Sequence, residues 1–329
     1  MTSARKITVI GAGGTIAMEG AHAFDWVDYG DTGIVHDAAE VIAGLDFGLP
    51  GVSVKSHRFR ALPSTGITPQ DWQALLQEIV TLCAGDTAPD GIVVTHGTAT
   101  MEDTAFFLHA TLAPLVPVVV VGAQRPPNTS GSDALPSLRA GIAGAAHLAP
   151  GVYLSMNGQL FDPIQVTKTA NHALDAFEAP GAGPMGEVGA DGIPRLTRGL
   201  IPPKRVFDPQ ALPRVDLAYS YAGADGAAID AYVAAGARAI VSIGLPPGRG
   251  TPGERGAMER AVAQDVLVVQ ASRAIRGMVP HQAWNTDAGI LSGGGLTPGK
   301  IRILLMLALA EGLSGGEIEP LLLSWTALT

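Results

Sequence analysis

The sequence predicts an α/β fold in two domains: a larger N-terminal domain on a parallel sheet and a smaller C-terminal α/β domain. Three observations carry this. Short apolar runs alternate with helix-like segments, and a stretch rich in Gly and Pro interrupts that rhythm past the middle of the chain. The length, 329 residues, also suits two domains at roughly 100–200 residues each, with a substantial buried core.

The elements follow in chain order. "KITVI" reads as a buried strand running into a glycine turn. With Arg5 and Lys6 before it and "AHA" at 21–23 after it, the stretch imitates a secretory signal. Glycines inside the apolar part favour the strand. "TPQDWQALLQEIVTL" reads as a helix that Thr68 caps, with Pro69 in the first turn, where a missing N–H costs little. "GIVVT", "VPVVVVGA" and "GVYLSM" are strands, and "SLRAGIAGAAHL" is a helix between the last two. Such alternation marks a parallel sheet covered by helices.

Around residues 180–213 the pattern dissolves, which places an N-terminal domain at 1–195, a linker at 196–213 and a C-terminal domain at 214–329. Beyond it "RVDLAYS", "ARAIVSIGL" and "DVLVVQAS" resume as strands, with "GTPGERGAMERAVAQ" and "TPGKIRILLMLALAEGL" as helices. No internal repeat or low-complexity tail stands out.

Composition narrows the function. Lys and Arg number 21 against 30 Asp and Glu, a net charge of −9. No basic run offers a surface to a phosphate backbone or an anionic membrane, so a small-molecule substrate is expected, with no nucleic acid and no membrane. A single cysteine, Cys83, leaves no internal disulfide or cysteine-based metal cluster and suits a reducing compartment. No uninterrupted apolar run reaches transmembrane length, and a cytoplasmic location is the expectation.

Four stretches carry candidate chemistry. In "VIGAGGTIAMEG", residues 9–20, a strand delivers a glycine-lined turn bearing Thr15. As a dinucleotide fingerprint it fails: Gly11 and Gly13 match, but Ile16 occupies the third glycine position. Taken alone, Thr15 reads as a turn or cap residue. In "VVTHGTATMEDTAFFL", residues 93–108, His96 to Thr100 lie on a strand-to-helix turn, where ligands collect in open α/β sheets. Thr98 and Thr100 offer hydroxyls, and the backbone near Gly97 can aim N–H groups at an oxyanion. The plainer reading is a capped helix, with Thr98 or Thr100 as N-cap and Glu102 and Asp103 on the positive end of its dipole. His96 has no second His or Cys at ligand spacing, so a structural role is expected.

"QVTKTANHALDAF", residues 165–177, puts Lys168 between two threonines after an apolar strand. An amine in a partly dry turn can act as a base because desolvation disfavours its charged form; a surface lysine is the plainer alternative. In "LPSTGITPQDW", Ser64 and Thr65 can read a carboxylate or cap the next helix.

Taken together and in order, "GGTIA" at 13–17, "THGTATMEDTAFFL" at 95–108, "VGAQRP" at 121–126 and "VTKT" at 166–169 resemble the bacterial-type L-asparaginase/glutaminase family. The resemblance extends more loosely through "ASRAIRGMVP" and "SGGGLTPGKIRILLMLALA". It implies an asparaginase-like fold in a homotetramer, a dimer of dimers with sites at subunit contacts. It implies no metal and no organic cofactor. A threonine attacks a side-chain amide, ammonia leaves, and water cleaves the acyl-enzyme ester.

By position, the resemblance makes Thr15 the nucleophile, Tyr29 in "DWVDYG" the mobile-loop tyrosine that helps activate it, and Thr98 the second catalytic threonine. Lys168 becomes the lysine bonded to Thr98, and Ser64 the holder of the substrate's α-carboxylate. Backbone N–H groups near Thr98 and Ala99 become the oxyanion donors.

The departures point elsewhere. Members carry aspartate where this chain has Ala99, and that carboxylate grips the substrate's α-ammonium. A hydrogen bond to a charged group is worth about 1.5–3 kcal/mol, roughly one to two powers of ten in affinity. Thr65 stands where an amide-bearing or acidic side chain contacts substrate. "GLPPGRGTPGERG" replaces an asparagine-bearing loop, and "VPHQAWNTDAGI" lacks an expected glutamate. The expected function is thus an amidohydrolase acting on a small carboxamide without a free α-ammonium, with Arg249, Arg273 or Arg276 available for recognition. One alternative is an L-asparaginase in which Asp103 or Asp133 replaces the lost carboxylate. Another is a non-catalytic small-molecule-binding homologue.

Overall fold

The computed structural model describes residues 4–325 and divides into two compact units, the first ending at Pro202 and the second beginning at Pro203. The strands of the first unit are β1 (Arg5–Gly13), β2 (Val52–Leu62), β3 (Gly91–Thr95), β4 (Pro117–Val121), β5 (Gly151–Met156), β6 (Gln159–Phe161), β7 (Thr167–Lys168), β8 (Phe177–Glu178), β9 (Gly186–Val188) and β10 (Pro194–Leu196). Its helices are α1 (Ala38–Ile42), α2 (Pro69–Ala84), α3 (Met101–Thr111) and α4 (Ala134–His147). Eight strands form one sheet in the order β10-β9-β6-β5-β4-β3-β1-β2. From β2 to β5 every pairing is parallel, as the sequence rhythm predicts. Strands β6, β9 and β10 then extend the sheet antiparallel, so the whole is mixed.

Every residue of β3, β4 and β5 is buried, which is why these strands appear in the sequence as near-continuous apolar runs. Alternate positions Ile7, Val9, Val93, Val119 and Val121 share one cluster with Leu138 and Ile142 of α4. Elsewhere Trp72 of α2 stacks on Phe107 of α3 at 5.5 Å between ring centroids. Thr68 caps α2 as expected, in a reciprocal capping box with Asp71. Strand β2 is not expected from the sequence rhythm. It lies at the sheet edge, half in water, and carries Lys55, His57, Arg58 and Arg60.

The strand order places the site. From β1 the chain crosses to β2 on one side, whereas from β3 it crosses to β4 on the other. The turns leaving β1 and β3 therefore diverge, and the crevice between them at the carboxyl ends is where such sheets bind ligands.

The second unit carries β11 (Val215–Tyr219), β12 (Ala239–Gly244), β13 (Leu267–Ser272) and β14 (Leu291–Ser292), all parallel and in chain order. Its helices are α5 (Ala227–Ala234), α6 (Pro252–Val262), α7 (Ala283–Asp287), α8 (Pro298–Ala310) and α9 (Gly315–Trp325). The three strands and two helices expected from the sequence are β11, β12, β13, α6 and α8.

Candidate active site

Glycines bring three turns into contact. Gly13 and Gly14, where β1 ends, have φ of 88° and 87°, a region that side chains with a Cβ avoid. A Cβ on Gly14 would lie 2.2 Å from the backbone nitrogen of Gly97, and one on Gly97 would lie 2.6 Å from Cβ and Oγ of Ser64. The turns after β1 and β3 thus abut backbone to backbone, and the Ser64 side chain from the turn after β2 packs on the bare backbone of Gly97. Thr15 directly follows the first of these glycine contacts and Thr98 the second.

Thr15 is buried at the start of a short 3-10 turn, and its Oγ1 lies 2.7 Å from the Tyr29 hydroxyl. The segment bearing Tyr29 is held at several points. Asn128 clamps Gly20, accepting from its N–H at 2.8 Å and donating to its carbonyl at 2.7 Å. The Arg125 guanidinium stacks on the Trp26 ring at 3.9 Å. Thr32 Oγ1 donates to the Tyr29 carbonyl at 2.9 Å.

A second centre forms around Thr98. Lys168 Nζ donates to Thr98 Oγ1 at 2.7 Å and to Gln124 Oε1 at 3.1 Å. Thr98 Oγ1 donates in turn to Gln124 Oε1 at 3.0 Å. Burial pushes the Lys168 amine below the ordinary lysine range, against the opposing pull of the Glu102 carboxylate. Glu102 also fixes the strand under Lys168: it accepts from Thr167 Oγ1 at 3.0 Å and from the Lys168 backbone N–H. Its carboxylate therefore does more than face the α3 dipole.

The capped-helix reading fails at Thr100. It precedes α3, but its side chain makes no cap bond and donates to the Ser64 carbonyl at 2.8 Å instead. Ser64 is half-buried, while Thr65 and Ala99 are exposed. Asp133, considered above as a replacement carboxylate, is buried and already accepts from the N–H groups of Gln124 and Arg125, each at 2.9 Å. Arg249, Arg273 and Arg276 belong to the second unit, where Arg249 Nε donates to Gln282 at 3.0 Å.

His96 takes the structural role expected of it. Trp72 Nε1 donates to Thr104 Oγ1 at 2.9 Å, so the Thr104 proton turns to His96 Nε2 at 2.8 Å. That leaves Nδ1 to donate to the Gly97 carbonyl, also at 2.8 Å. Complete burial pushes its pKa down to about 4 and keeps the ring neutral. Among the described residues, no three His, Cys, Asp or Glu side chains are grouped to hold a metal ion.

Sequence reasoning names Thr15, Tyr29, Thr98, Lys168 and Ser64 but assigns no role to Gln124. The available signal was its position, a polar side chain just past the end of a buried strand in "VGAQRP".

A hydroxyl paired with a phenol, beside a second hydroxyl paired with a desolvated amine, suits nucleophilic acyl transfer. An α/β fold with such a site at the carboxyl ends of its strands suits a hydrolase. Comparison with known proteins is specific. The profile of "Asparaginase, N-terminal" matches residues 6–198, and that of "Glutaminase/Asparaginase C-terminal domain" matches residues 214–322. L-asparaginase 2 of Escherichia coli is 32% identical, over 95% of this chain and 91% of that protein. A glutaminase-asparaginase of Pseudomonas fluorescens is 30% identical, over 97% and 90%. The crystal structure of a probable cytoplasmic L-asparaginase from Campylobacter jejuni superposes with a TM-score of 0.90 at 28% identity, over 97% of this chain and 99% of that one. The chain belongs to the asparaginase family and is an amidohydrolase acting on amide C–N bonds.

Proposed function

We propose that this amidohydrolase releases ammonia from a small carboxamide that lacks a free α-ammonium, through an acyl-enzyme on Thr15. Thr15 Oγ1 attacks the amide carbon while its proton passes by way of Tyr29 to the leaving nitrogen. Backbone N–H groups at Thr98 and Ala99 stabilise the oxyanion. Ammonia departs and leaves an ester on Thr15. Lys168, acting through Thr98, then takes a proton from water; the hydroxide formed attacks the ester carbon, the bond to Thr15 Oγ1 breaks, and the proton held by Lys168 returns to that oxygen as the product acid is released. Ser64 holds the substrate's carboxylate, and Thr65 and Ala99 line its far end.

The observation that carries this reading is Ala99. It stands exposed between Thr98 and Thr100 and offers no carboxylate, while the Thr15–Tyr29 and Thr98–Lys168 pairs are both assembled. Ammonia release from L-asparagine and from succinamic acid, its desamino counterpart, tests it through kcat/KM. Preference for succinamic acid is expected. Preference for L-asparagine would establish the second reading, an L-asparaginase, which the names of the similar proteins favour. Ligand stabilisation without ammonia release from any carboxamide would instead mark a binding protein.

The family resemblance supports a homotetramer, and the domain limits proposed are 1–195 and 214–329 around a linker at 196–213. A cytoplasmic location is proposed. The lone cysteine supports it, as does the description of the Campylobacter structure; a 30%-identical Haemophilus influenzae relative is described as periplasmic. No helix among the described residues is long and apolar enough to cross a membrane.

A further inference from the structure

We propose that Gln124 is a positioning residue for this reaction, its amide oxygen setting the Thr98–Lys168 pair for proton transfer as an uncharged acceptor. The proposal rests on the roles given above to Thr98 and Lys168.

The orientation of the amide is determined by its far end. Gln124 Nε2 faces the carbonyls of Ala173 at 2.9 Å and Asn171 at 3.4 Å. Both can only accept, so the nitrogen must point there and the oxygen toward Thr98 and Lys168. One oxygen then receives two protons' worth of bonding, from Nζ at 3.1 Å and from the Thr98 hydroxyl at 3.0 Å. With its own hydrogen turned to Gln124, Thr98 Oγ1 presents a lone pair to Nζ. Gln124 is thereby the third corner of a closed triangle and fixes the distance between its other two members. The backbone of Gln124 is anchored as well, since the buried Asp133 carboxylate accepts from its N–H and from that of Arg125.

The charge of the triangle matters as much as its shape. Among the described residues, the bonds assigned to Nζ go to two uncharged oxygens. Glu102, on α3, binds the backbone N–H of Lys168 and the Thr167 hydroxyl. Asp133 is spent on two backbone N–H groups behind Gln124, and Glu178, on the neighbouring strand, accepts from Thr169. An ammonium here lacks a directly bonded carboxylate, so the neutral amine, which can accept a proton, is accessible. Burial of Lys168 acts in the same direction and outweighs the opposing pull of the nearby Glu102 carboxylate. A carboxylate at position 124 would reverse this, because an opposite charge at hydrogen-bond distance favours the protonated amine.

The test compares Gln124→Glu and Gln124→Met with the full-length parent. Two readouts are used: kcat against pH on whichever of L-asparagine and succinamic acid is turned over, and NMR titration of the 13Cε-labelled lysines without ligand. Lys6, Lys55, Lys204 and Lys300 are the only other lysines, so the Lys168 signal is assignable by substitution. Gln124→Glu should raise the Lys168 pKa by about one unit or more and move the acid limb of kcat up with it, costing roughly tenfold at pH 7 and recovering in alkali. Gln124→Met should lower kcat at least tenfold across the profile, with little change in KM and no upward movement of the limb.

If Gln124 only ties down residues 171–173, both variants lose thermal stability or kcat alike, and the Lys168 titration and acid limb stay in place. That result would overturn the proposal. Thr98→Ala and Lys168→Met, run alongside, separate the two levels of inference. If they retain turnover, the roles of Thr98 and Lys168 fail. If they lose it while both Gln124 variants keep parental profiles, only the role of Gln124 fails.

Discussion

The two threonine turns sit against each other but are held in different ways. The Thr15 turn depends on backbone: two glycines at positive φ deliver it, and among the described residues the Thr15 hydroxyl bonds a single side chain, Tyr29, from a segment pinned at its edges. The Thr98 turn depends on side chains. Its hydroxyl is locked between Lys168 and Gln124, and His96, Thr104 and Trp72 form a buried chain beneath it. The difference fits the division of labour in the proposed mechanism, with Thr15 as nucleophile and Thr98 in the proton relay. A nucleophile must leave its resting bonds to attack, whereas a proton relay works best when it does not move.

The largest effect should come from the sparsely held side. Thr15→Ala removes one hydroxyl from a turn whose shape its neighbouring glycines set. Ammonia release should fall by more than about a thousandfold, the scale of losing a nucleophile, with the melting temperature nearly unchanged. Undiminished turnover would remove Thr15 from the mechanism and leave Thr98 as the candidate nucleophile.

Gly14→Ala attacks the junction itself. The added methyl meets the Gly97 backbone at 2.2 Å and sits at φ 87°, ψ 175°, a backbone region open essentially to glycine alone that costs about 1–3 kcal/mol. Both turns must shift. Most activity and several degrees of melting temperature should be lost together, whereas a variant losing only stability would show that the two turns need not touch.

His96 tests how far the Thr98 side depends on its buried support. The ring is neutral in the folded protein, with a pKa lowered to about 4 from 6.5. The unfolded chain therefore binds its proton more readily. Its contribution to stability is full above about pH 6.5 and is lost as pH falls toward 4, by about 3 kcal/mol at the end of that window. Urea unfolding followed from pH 7 to pH 4 should show this slope, and His96→Gln, though less stable at pH 7, should show a flatter one. Equal slopes would mean that acid sensitivity arises in other groups.

Ala99→Asp introduces a carboxylate at the exposed position between the threonines. The ratio of kcat/KM for L-asparagine to that for succinamic acid should rise by roughly one to two powers of ten, the value of about 1.5–3 kcal/mol for a contact to a charged group. An unchanged ratio would place recognition of the α-substituent away from this turn.

Much of this architecture is legible in the sequence where burial is complete and local. Strands β3, β4 and β5 announce themselves as apolar runs because water touches neither face. Strand β2 stays hidden because an edge strand with one wet face can carry Lys55, His57, Arg58 and Arg60. The site divides along similar lines. Thr15, Thr98 and Lys168 stand in motifs that mark them, but Gln124, Glu102 and Asp133 act through contacts that exist only once β4 lies beside β3 and the segment at β7 folds back. Glu102 looks like a helix-dipole carboxylate, and nothing near it in the chain reveals that it also grips the Lys168 strand.

The smallest predicted effect concerns the anchoring of the Tyr29 segment. Among the described residues Asn128 is the one side chain that binds both backbone groups of Gly20, and Asn128→Ala removes both bonds without touching Thr15 or Tyr29. Each net hydrogen bond is worth about 1 kcal/mol, part of which water restores because Asn128 is exposed. Activity should therefore fall only a few-fold. If Tyr29 must meet Thr15 in every turnover, the loss should appear in kcat and be relieved by glycerol or lower temperature, conditions that favour the ordered segment. A loss confined to KM would instead mean that the segment serves to retain substrate and that Tyr29 reaches Thr15 without help from Asn128.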